Sequence, residues 1–183
     1  MSETGTLYQS YILYRTAAKT YQAPSYKGPD GKTVTPPAVT SQAAGYVVSV
    51  QLLPGLTGII MPEGFAYALD AAGAFPKGSI YTPATDYTLT GDATATTGSA
   101  VTLTLEPNND GPTADTVVTL SDGDAGGTFS AETVTFAGSV STSQTVTYTP
   151  KAAGTVTISA TNNGTLANPA SLNMTVSAAV ATS

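Results

Sequence analysis

Residues 144–164 have the sequence QTVTYTPKAAGTVTISATNNG, in which a threonine or serine stands at every second position on both sides of PKAAG. Successive side chains of a β-strand point to opposite faces, so Val146 and Tyr148 share one face while the threonines between them share the other. After PKAAG the alternation resumes, with Val156 and Ile158 on the apolar face. The pattern predicts two half-buried antiparallel strands whose solvent face carries hydroxyl groups instead of charges.

The composition excludes several classes of chemistry. The chain has 183 residues, of which 41% are hydrophobic, enough for a core. Only 10% are charged, against about 25% in ordinary globular proteins. The chain has no His, Cys or Trp, so the commonest general base, thiol chemistry and disulfides are absent. We therefore expect a protein that is not an enzyme, that needs no cofactor or metal, and that is held together by packing alone.

Charge and tyrosine content divide the chain near residues 82–86. Residues 1–85 carry five cations and four anions, a net charge of +1, whereas residues 86–183 carry one cation and eight anions, a net charge of −7. Nine of the ten tyrosines lie at or before Tyr87. We predict two domains, residues 1–85 and residues 86–183.

The C-terminal part has strand patterns at regular spacing, separated by turn-rich segments such as PNNDGPTAD and SDGDAGG. This arrangement is typical of a β-sandwich. About seven strands are predicted: residues 87–89, 100–106, 116–120, 133–136, the two strands quoted above, and 171–176.

The run VTYTPKAAGTVTISATNNG, followed by SLNMTVS, resembles the last three strands of bacterial immunoglobulin-like domains. The resemblance covers about residues 86–178. Such domains occur on bacterial adhesins and as appendages of tailed-phage capsid, tail and decoration proteins. The fold class expected is all-β: an immunoglobulin-like β-sandwich preceded by a small, loop-rich, mainly β N-terminal anchoring domain. Tyr148 lies just before the turn, which departs from the usual tyrosine corner, so we predict a core aromatic there.

The N-terminal part is less regular. Residues 7–21, LYQSYILYRTAAKTY, fit either a helix with apolar residues three to four positions apart or an extended arm that lays tyrosines on a partner. The Pro- and Gly-rich residues 21–40 predict a long loop or arm with a hairpin at KGPDGK. Residues 45–53 predict a strand, and residues 53–82 predict short strands joined by turns at PG, PEG and PKG.

Acidic residues suggest two kinds of functional site, a calcium site and a glycosidase acid pair, and the sequence favours neither. The aspartates in the turn segments could supply oxygen ligands to Ca²⁺, but their spacing lacks the pattern of a calcium loop. We predict that they support turns; they are Asp110, Asp115, Asp122 and Asp124. Glu63 and Asp70 could form the acid pair of a glycosidase, yet nothing flanking them indicates a cleft. Glu63, in MPEGF, is predicted to be a turn residue.

The tyrosines between residues 8 and 26 could stack on sugars or bases, fill a local core, or contact a partner protein. An acidic chain without a basic stripe argues against nucleic acid as a partner, and no apolar run is long enough to span a membrane. Tyrosine is enriched at protein interfaces. We therefore predict a protein-facing anchor, formed by Tyr8, Tyr11, Tyr14, Arg15 and Lys19.

The first 22 residues do not have the pattern of a Sec signal peptide, because Glu3 comes early and Arg15 interrupts the apolar run. A threonine-rich β-protein without an export signal is explained by assembly into a virus particle and release by lysis. We expect a structural virion protein of a tailed bacteriophage, a capsid decoration protein on the virion surface. Residues 1–85 would dock on the major capsid protein or another virion subunit.

Several alternatives stay open at this point. A head-fibre protein, a tail protein or a tail-tube subunit would be built in a similar way, and a bacterial surface adhesin module carries the same kind of sandwich. The chain could also form a homo-oligomer. The sandwich could contact a host-surface glycan.

Overall fold

The computed structural model describes residues 7–180, so Glu3 and the rest of the first six residues considered above lie outside it. The protein is all-β, and it divides into two compact units, Met1–Tyr81 and Thr82–Ser183. Residues 82–85 lie in the second unit because the backbone N–H of Thr82 donates to Asp110 Oδ2 and that of Ala84 donates to the carbonyl of Gly111.

The N-terminal unit is built on a three-stranded antiparallel sheet with strand order β6-β1-β7. The central strand of this sheet is β1 (Gln9–Arg15), so this part of residues 7–21 is neither a helix nor an extended arm. The strands described in this unit are β1 (Gln9–Arg15), β2 (Lys19–Tyr21), β3 (Tyr26–Lys27), β4 (Thr33–Val34), β5 (Val39–Gln42), β6 (Val47–Leu53) and β7 (Phe65–Leu69). The strand predicted over residues 45–53 is confirmed by β6.

One face of this sheet packs into a small core. Leu13 pairs with Ser49 and Tyr14 pairs with Val47, so Val48 is the extra residue of a bulge in β6. Tyr81 packs edge-on against Tyr14 and Phe75, with ring centroids 5.1 Å apart in both pairs. The buried hydrophobic residues of this core are Ile12, Tyr14, Val47, Ala68 and Tyr81. A core of five residues is small for a unit of this length.

Residues 19–42 form a hairpin arm made of two successive antiparallel ladders, β2 with β5 and β3 with β4. The turn at its tip closes through two hydrogen bonds. The N–H of Gly28 donates to the carbonyl of Lys32 at 2.8 Å, and the N–H of Lys32 donates to Asp30 Oδ1 at 3.0 Å. The hairpin predicted at KGPDGK is confirmed. No residue of the hairpin arm is buried.

The C-terminal unit is a sandwich of two sheets, with strand orders β12-β14-β10-β8 and β13-β11-β15-β16-β9. All pairings are antiparallel except that of β16 with β9. This pairing is that of an immunoglobulin-like fold, so the predicted sandwich is confirmed. The strands are β8 (Tyr87–Gly91), β9 (Thr94–Thr96), β10 (Val101–Pro107), β11 (Thr116–Ser121), β12 (Thr128–Phe129), β13 (Thr133–Phe136), β14 (Gln144–Thr149), β15 (Gly154–Asn162) and β16 (Leu172–Ser177).

The sandwich core follows the alternation of residues 144–164. Val146, Tyr148 and Ile158 are buried, whereas Thr147 and Thr157 are exposed. Within residues 7–180, fifteen buried hydrophobic residues form this core, against five in the core cluster of the N-terminal unit. The face assignment of both predicted strands is confirmed.

Tyr148 is the core aromatic that the sequence predicts. Its ring is fully buried and lies 4.8 Å from that of Phe129, between centroids. Its hydroxyl donates to Asp122 Oδ2 at 3.0 Å, and the same oxygen accepts the N–H of Gly127 at 2.8 Å. Burial, followed by the hydrogen bond and the charge of Asp122, raises the pKa of Tyr148 to about 12.

The prediction that the turn aspartates support turns is confirmed for Asp122, which accepts the N–H of Gly127 within the same turn. Asp110 and Asp115 instead join distant segments, since Asp110 accepts the N–H of Thr82 at 2.7 Å and Asp115 accepts that of Gly138 at 2.9 Å. Asp124 adopts a left-handed conformation with φ of 66°, which Asp tolerates better than most residues.

Glu63 and Asp70 lie at opposite ends of β7. At the rise of a strand they are about 20 Å apart, whereas the carboxyl groups of a glycosidase pair lie within about 10 Å. Glu63 lies in a turn, as predicted. Asp70 is buried, and its two oxygens accept the N–H groups of Ala74 and Phe75 at 2.9 and 3.0 Å. Its carboxylate therefore holds the loop that places Phe75 against Tyr81.

Candidate docking surface

The exposed apolar side chains are distributed very unequally between the two units. Over residues 7–180, fourteen large hydrophobic side chains are exposed. Thirteen of them lie in the N-terminal unit, and Val180 alone lies in the C-terminal unit. Scattered exposed apolar residues are normal, but a concentration of them marks an interaction surface. The N-terminal unit is therefore the part of the chain to search for a docking site.

Six of these residues belong to β6 and the loop that follows it, and we call them the edge patch. β6 lies at one edge of the three-stranded sheet. Val50 pairs with the buried Ile12, and Leu52 pairs with Ser10, so both project from the face that carries the core. Leu52 is 71% exposed and Ile60 is 93% exposed. The edge patch consists of Val50, Leu52, Leu56, Ile59, Ile60 and Met61.

Two of the predicted anchor tyrosines are in the interior of the unit. Tyr14 packs against Tyr81, and its burial raises the pKa of the hydroxyl. Tyr11 is buried and packs edge-on against Tyr67, with ring centroids 6.5 Å apart, while its hydroxyl donates to Gln9 Oε1 at 3.2 Å. Neither ring is exposed to a partner, because β1 is a central strand. The anchor prediction is corrected for these two residues.

Tyr8 is the predicted anchor that remains exposed, at 63%. It directly precedes β1, and the pairing of Gln9 with Leu53 places this part of the chain beside the end of β6. Tyr8 and the preceding Leu7, which is 85% exposed, therefore lie next to the strand that begins the edge patch.

The two predicted cations lie where β1 meets the hairpin arm. The Arg15 guanidinium lies 4.6 Å above the centroid of the Phe65 ring, a cation–π contact, and its Nε donates to Gln42 Oε1 at the base of the arm. Lys19 is exposed at the first residue of β2. Arg15 is therefore engaged within the unit, whereas Lys19 remains on the surface.

Sequence reasoning missed the edge patch. The signal was the segment GLTGIIMPEG, residues 55–64, in which an apolar run lies between glycines without strand alternation. Such a run is typical of a short buried strand. In the structure it is an exposed loop, which is why it contributes to the surface instead of the core.

The C-terminal unit presents a different surface. The five strands of its larger sheet contain no charged residue. On their outer face, hydroxyls stand in register across neighbouring strands. Thr119 is opposite Thr133 and Thr161, and Thr175 is opposite Thr155 and Thr94.

Two open clefts indent the C-terminal unit. One, of about 440 Å³, lies between the end of β11 and β12 and is lined by Asp122, Phe129 and Glu132 among others. The other, of about 430 Å³, is lined by residues such as Ala84, Pro112 and Leu166. Within residues 7–180, no group of three or more metal-ligating side chains is close enough to hold an ion. No helix in this part of the chain is long and apolar enough to cross a membrane.

No protein-family model and no curated protein sequence matches the chain. Among solved structures, the chain is similar to a CARDB domain from Pyrococcus furiosus, solved in complex with di-metal ions. The identity is 15% and the TM-score 0.38, over 50% of this chain and 86% of that one. It is also similar to the adhesin InvE of Yersinia pseudotuberculosis, with 16% identity and a TM-score of 0.41, over 92% of this chain and 49% of that one.

A third similar structure is the D00–D0 domain of intimin, with 14% identity and a TM-score of 0.37, over 95% of this chain and 88% of that one. The strand pairing of the C-terminal unit, and not these distant likenesses, carries the assignment of an immunoglobulin-like fold.

Proposed function

We propose that the protein is a structural subunit of a tailed-phage particle, a capsid decoration protein that docks through its N-terminal unit and displays its immunoglobulin-like sandwich. The observation that supports this function is the partition of exposed apolar residues, thirteen in the N-terminal unit against one in the C-terminal unit. If one unit binds a partner and the other remains in solvent, exposed apolar side chains are expected to concentrate on the binding unit.

The edge patch has the properties of an attachment surface. It combines large aliphatic side chains that are exposed, and it lies on β6, an edge strand of the three-stranded sheet. At Val47 the outer edge of β6 is already hydrogen-bonded to Gly78 and Ser79, so only the later part of the strand is a candidate for pairing with a partner. The small core of the N-terminal unit fits the same function, because binding to a partner would bury apolar area that the unit leaves exposed.

The sandwich has the properties of a displayed domain. Its larger core makes it stable without disulfides or metals. Its outer face is covered by hydroxyls, and the net charge of −7 disfavours contact between neighbouring sandwiches. Lys151 is the only cation after residue 81, so trypsin-like proteases have a single cleavage site in this unit.

The proposal is tested by quantitative mass spectrometry of purified particles from a lysate of the phage that encodes the chain. We expect the protein to be present in a fixed ratio to the major capsid protein, and heads separated from tails to retain it. Recovery with tails alone would identify it as a tail protein. Recovery in the bacterial envelope, with none in particles, would contradict the proposal and favour an adhesin module.

A further inference from the structure

We propose that the hairpin arm of one copy of the protein docks on a second copy. This inference concerns self-association and does not depend on the proposed function. It rests on three properties of residues 19–42: their defined shape, their exposed apolar pairs and their charge.

Hydrogen bonds hold the hairpin arm in a definite shape along its length. Ser41 Oγ donates to the carbonyl of Lys19 at 3.1 Å near the base, and the Ser25 and Thr35 hydroxyls are 2.8 Å apart in the middle. Lys27 Nζ donates to Thr33 Oγ1 at 2.9 Å next to the tip. Ordering a chain costs about 1–2 kcal/mol per residue in backbone entropy, and this arm buries no side chain to offset that cost.

Each ladder of the arm presents one exposed tyrosine opposite a valine. Tyr21 is 61% exposed and pairs with Val39, and Tyr26 is 58% exposed and pairs with Val34. Residues directly opposite each other in an antiparallel pair lie on the same face, so each pair forms one apolar surface. Each tyrosine leaves roughly 100 Å² of its surface uncovered. Tyrosine is among the residues enriched at the energetic hot spots of protein interfaces.

Charge indicates the partner. The hairpin arm carries Lys19, Lys27 and Lys32 against Asp30, a net charge of +2. The whole chain has a net charge of −6, so the remainder has a net charge of −8. A second copy therefore offers an acceptor of opposite sign, and every copy carries both a cationic arm and an anionic body. A contact of the hairpin arm of one copy on the remainder of another is heterologous, and such contacts close into rings or continue as open filaments.

The test is sedimentation velocity of the full chain up to about 100 µM, at low salt and at about 0.5 M salt, where surface charges are screened. We expect concentration-dependent association that weakens at high salt. The double variant Tyr21→Ser/Tyr26→Ser and the double variant Lys27→Glu/Lys32→Glu should each weaken it by at least about tenfold. Matched controls outside the arm, Tyr8→Ser and Lys151→Glu, should associate like the parent.

Circular dichroism and thermal unfolding of each variant establish that it is folded. A parent chain that stays monomeric at the highest concentration, or arm variants that associate as the parent does, would overturn the inference. If the chain stays monomeric and its binding to particles requires the hairpin arm, the arm binds the particle and not a second copy. That result would overturn the inference and leave the proposed function standing. Self-association by a chain that is absent from particles would support the inference and contradict the proposed function.

Discussion

At the scale of single residues, the hydroxyl of one core tyrosine of the sandwich is paired with a half-buried carboxylate in a neighbouring turn. The Tyr148 hydroxyl is buried, and the Asp122 carboxylate that accepts its hydrogen bond also fixes Gly127 in the turn before β12. A Cβ at Gly127 would lie 2.2 Å from the Tyr148 hydroxyl oxygen, so only glycine fits beside the ring. The Asp122 carboxylate therefore links the turn before β12 to the Tyr148 ring in the core.

We expect alkaline pH to destabilise the sandwich through Tyr148. The pKa of its hydroxyl is about 12 in the folded protein, against about 10 in an unfolded chain. A raised folded pKa stabilises the fold fully below pH 10, and this stabilisation is lost as the pH rises from about 10 to 12. Thermal unfolding measured across this window should show a falling Tm, and Tyr148→Phe should make the fall shallower. An equally steep fall in the variant would contradict the assignment.

Neighbouring residues of β15 should lose very different amounts of stability when they are replaced by a charged residue. Ile158 is fully buried, so Ile158→Asp places an unpaired charge in the core and should lower the free energy of unfolding by more than about 3 kcal/mol. Thr157 is exposed, so Thr157→Asp should cost less than about 1 kcal/mol, although it loses the exposed hydrogen bond that the Thr157 hydroxyl donates to Asn173 Oδ1 at 2.8 Å. Chemical denaturation measures both, and equal losses would show that the register is wrong.

At the scale of elements, strands with clean alternation were predictable and strands without it were not. The seven predicted strands of the C-terminal unit correspond to β8, β10, β11, β13, β14, β15 and β16. The two that were missed, β9 and β12, have three and two residues, too short to show a period. β1 was ambiguous because it has apolar residues on both faces, which removes the alternation. Its central position depends on pairing with distant β6 and β7, which local sequence does not encode.

The hairpin arm should be dispensable for folding, because none of its residues is buried. Tyr21 and Val39 are paired, so replacing residues 22–38 by Asn-Gly joins them through a tight two-residue turn. We expect the Tm of this variant to stay within a few degrees of the parent value. Circular dichroism during heating measures it. Loss of the cooperative transition would show that the arm is part of the folding unit.

At the scale of the whole molecule, the two units have cores of unequal size, and the proposed function assigns attachment to the unit with the smaller core. The candidate docking surface was only partly predictable. Tyrosine content and charge pointed to the N-terminal unit, and Tyr8 and Lys19 are exposed there. Tyr11 and Tyr14 could not be assigned from sequence, since the same ring serves a core or an interface and only the sheet order decides.

The C-terminal unit should fold by itself. Its fifteen-residue core cluster lies entirely within residues 82–183, and the chain has no Cys that could form a disulfide. Expressed alone, this fragment should show β-type circular dichroism and a cooperative thermal transition. A disordered fragment would contradict both the division of the chain and the independence of the sandwich.

The claim that the N-terminal unit docks and the sandwich does not is tested most directly by co-sedimentation with particles that lack the protein. Deleting the first 20 residues would remove β1 and unfold the sheet, so point variants are the better probe. Leu52→Asp/Ile60→Asp should lower particle binding by at least about tenfold, because it places charges in the edge patch. Thr119→Asp/Thr157→Asp, which adds the same charge to the sandwich face, should bind like the parent. Loss of particle binding by the threonine variant, with binding retained by the edge-patch variant, would contradict docking through the N-terminal unit.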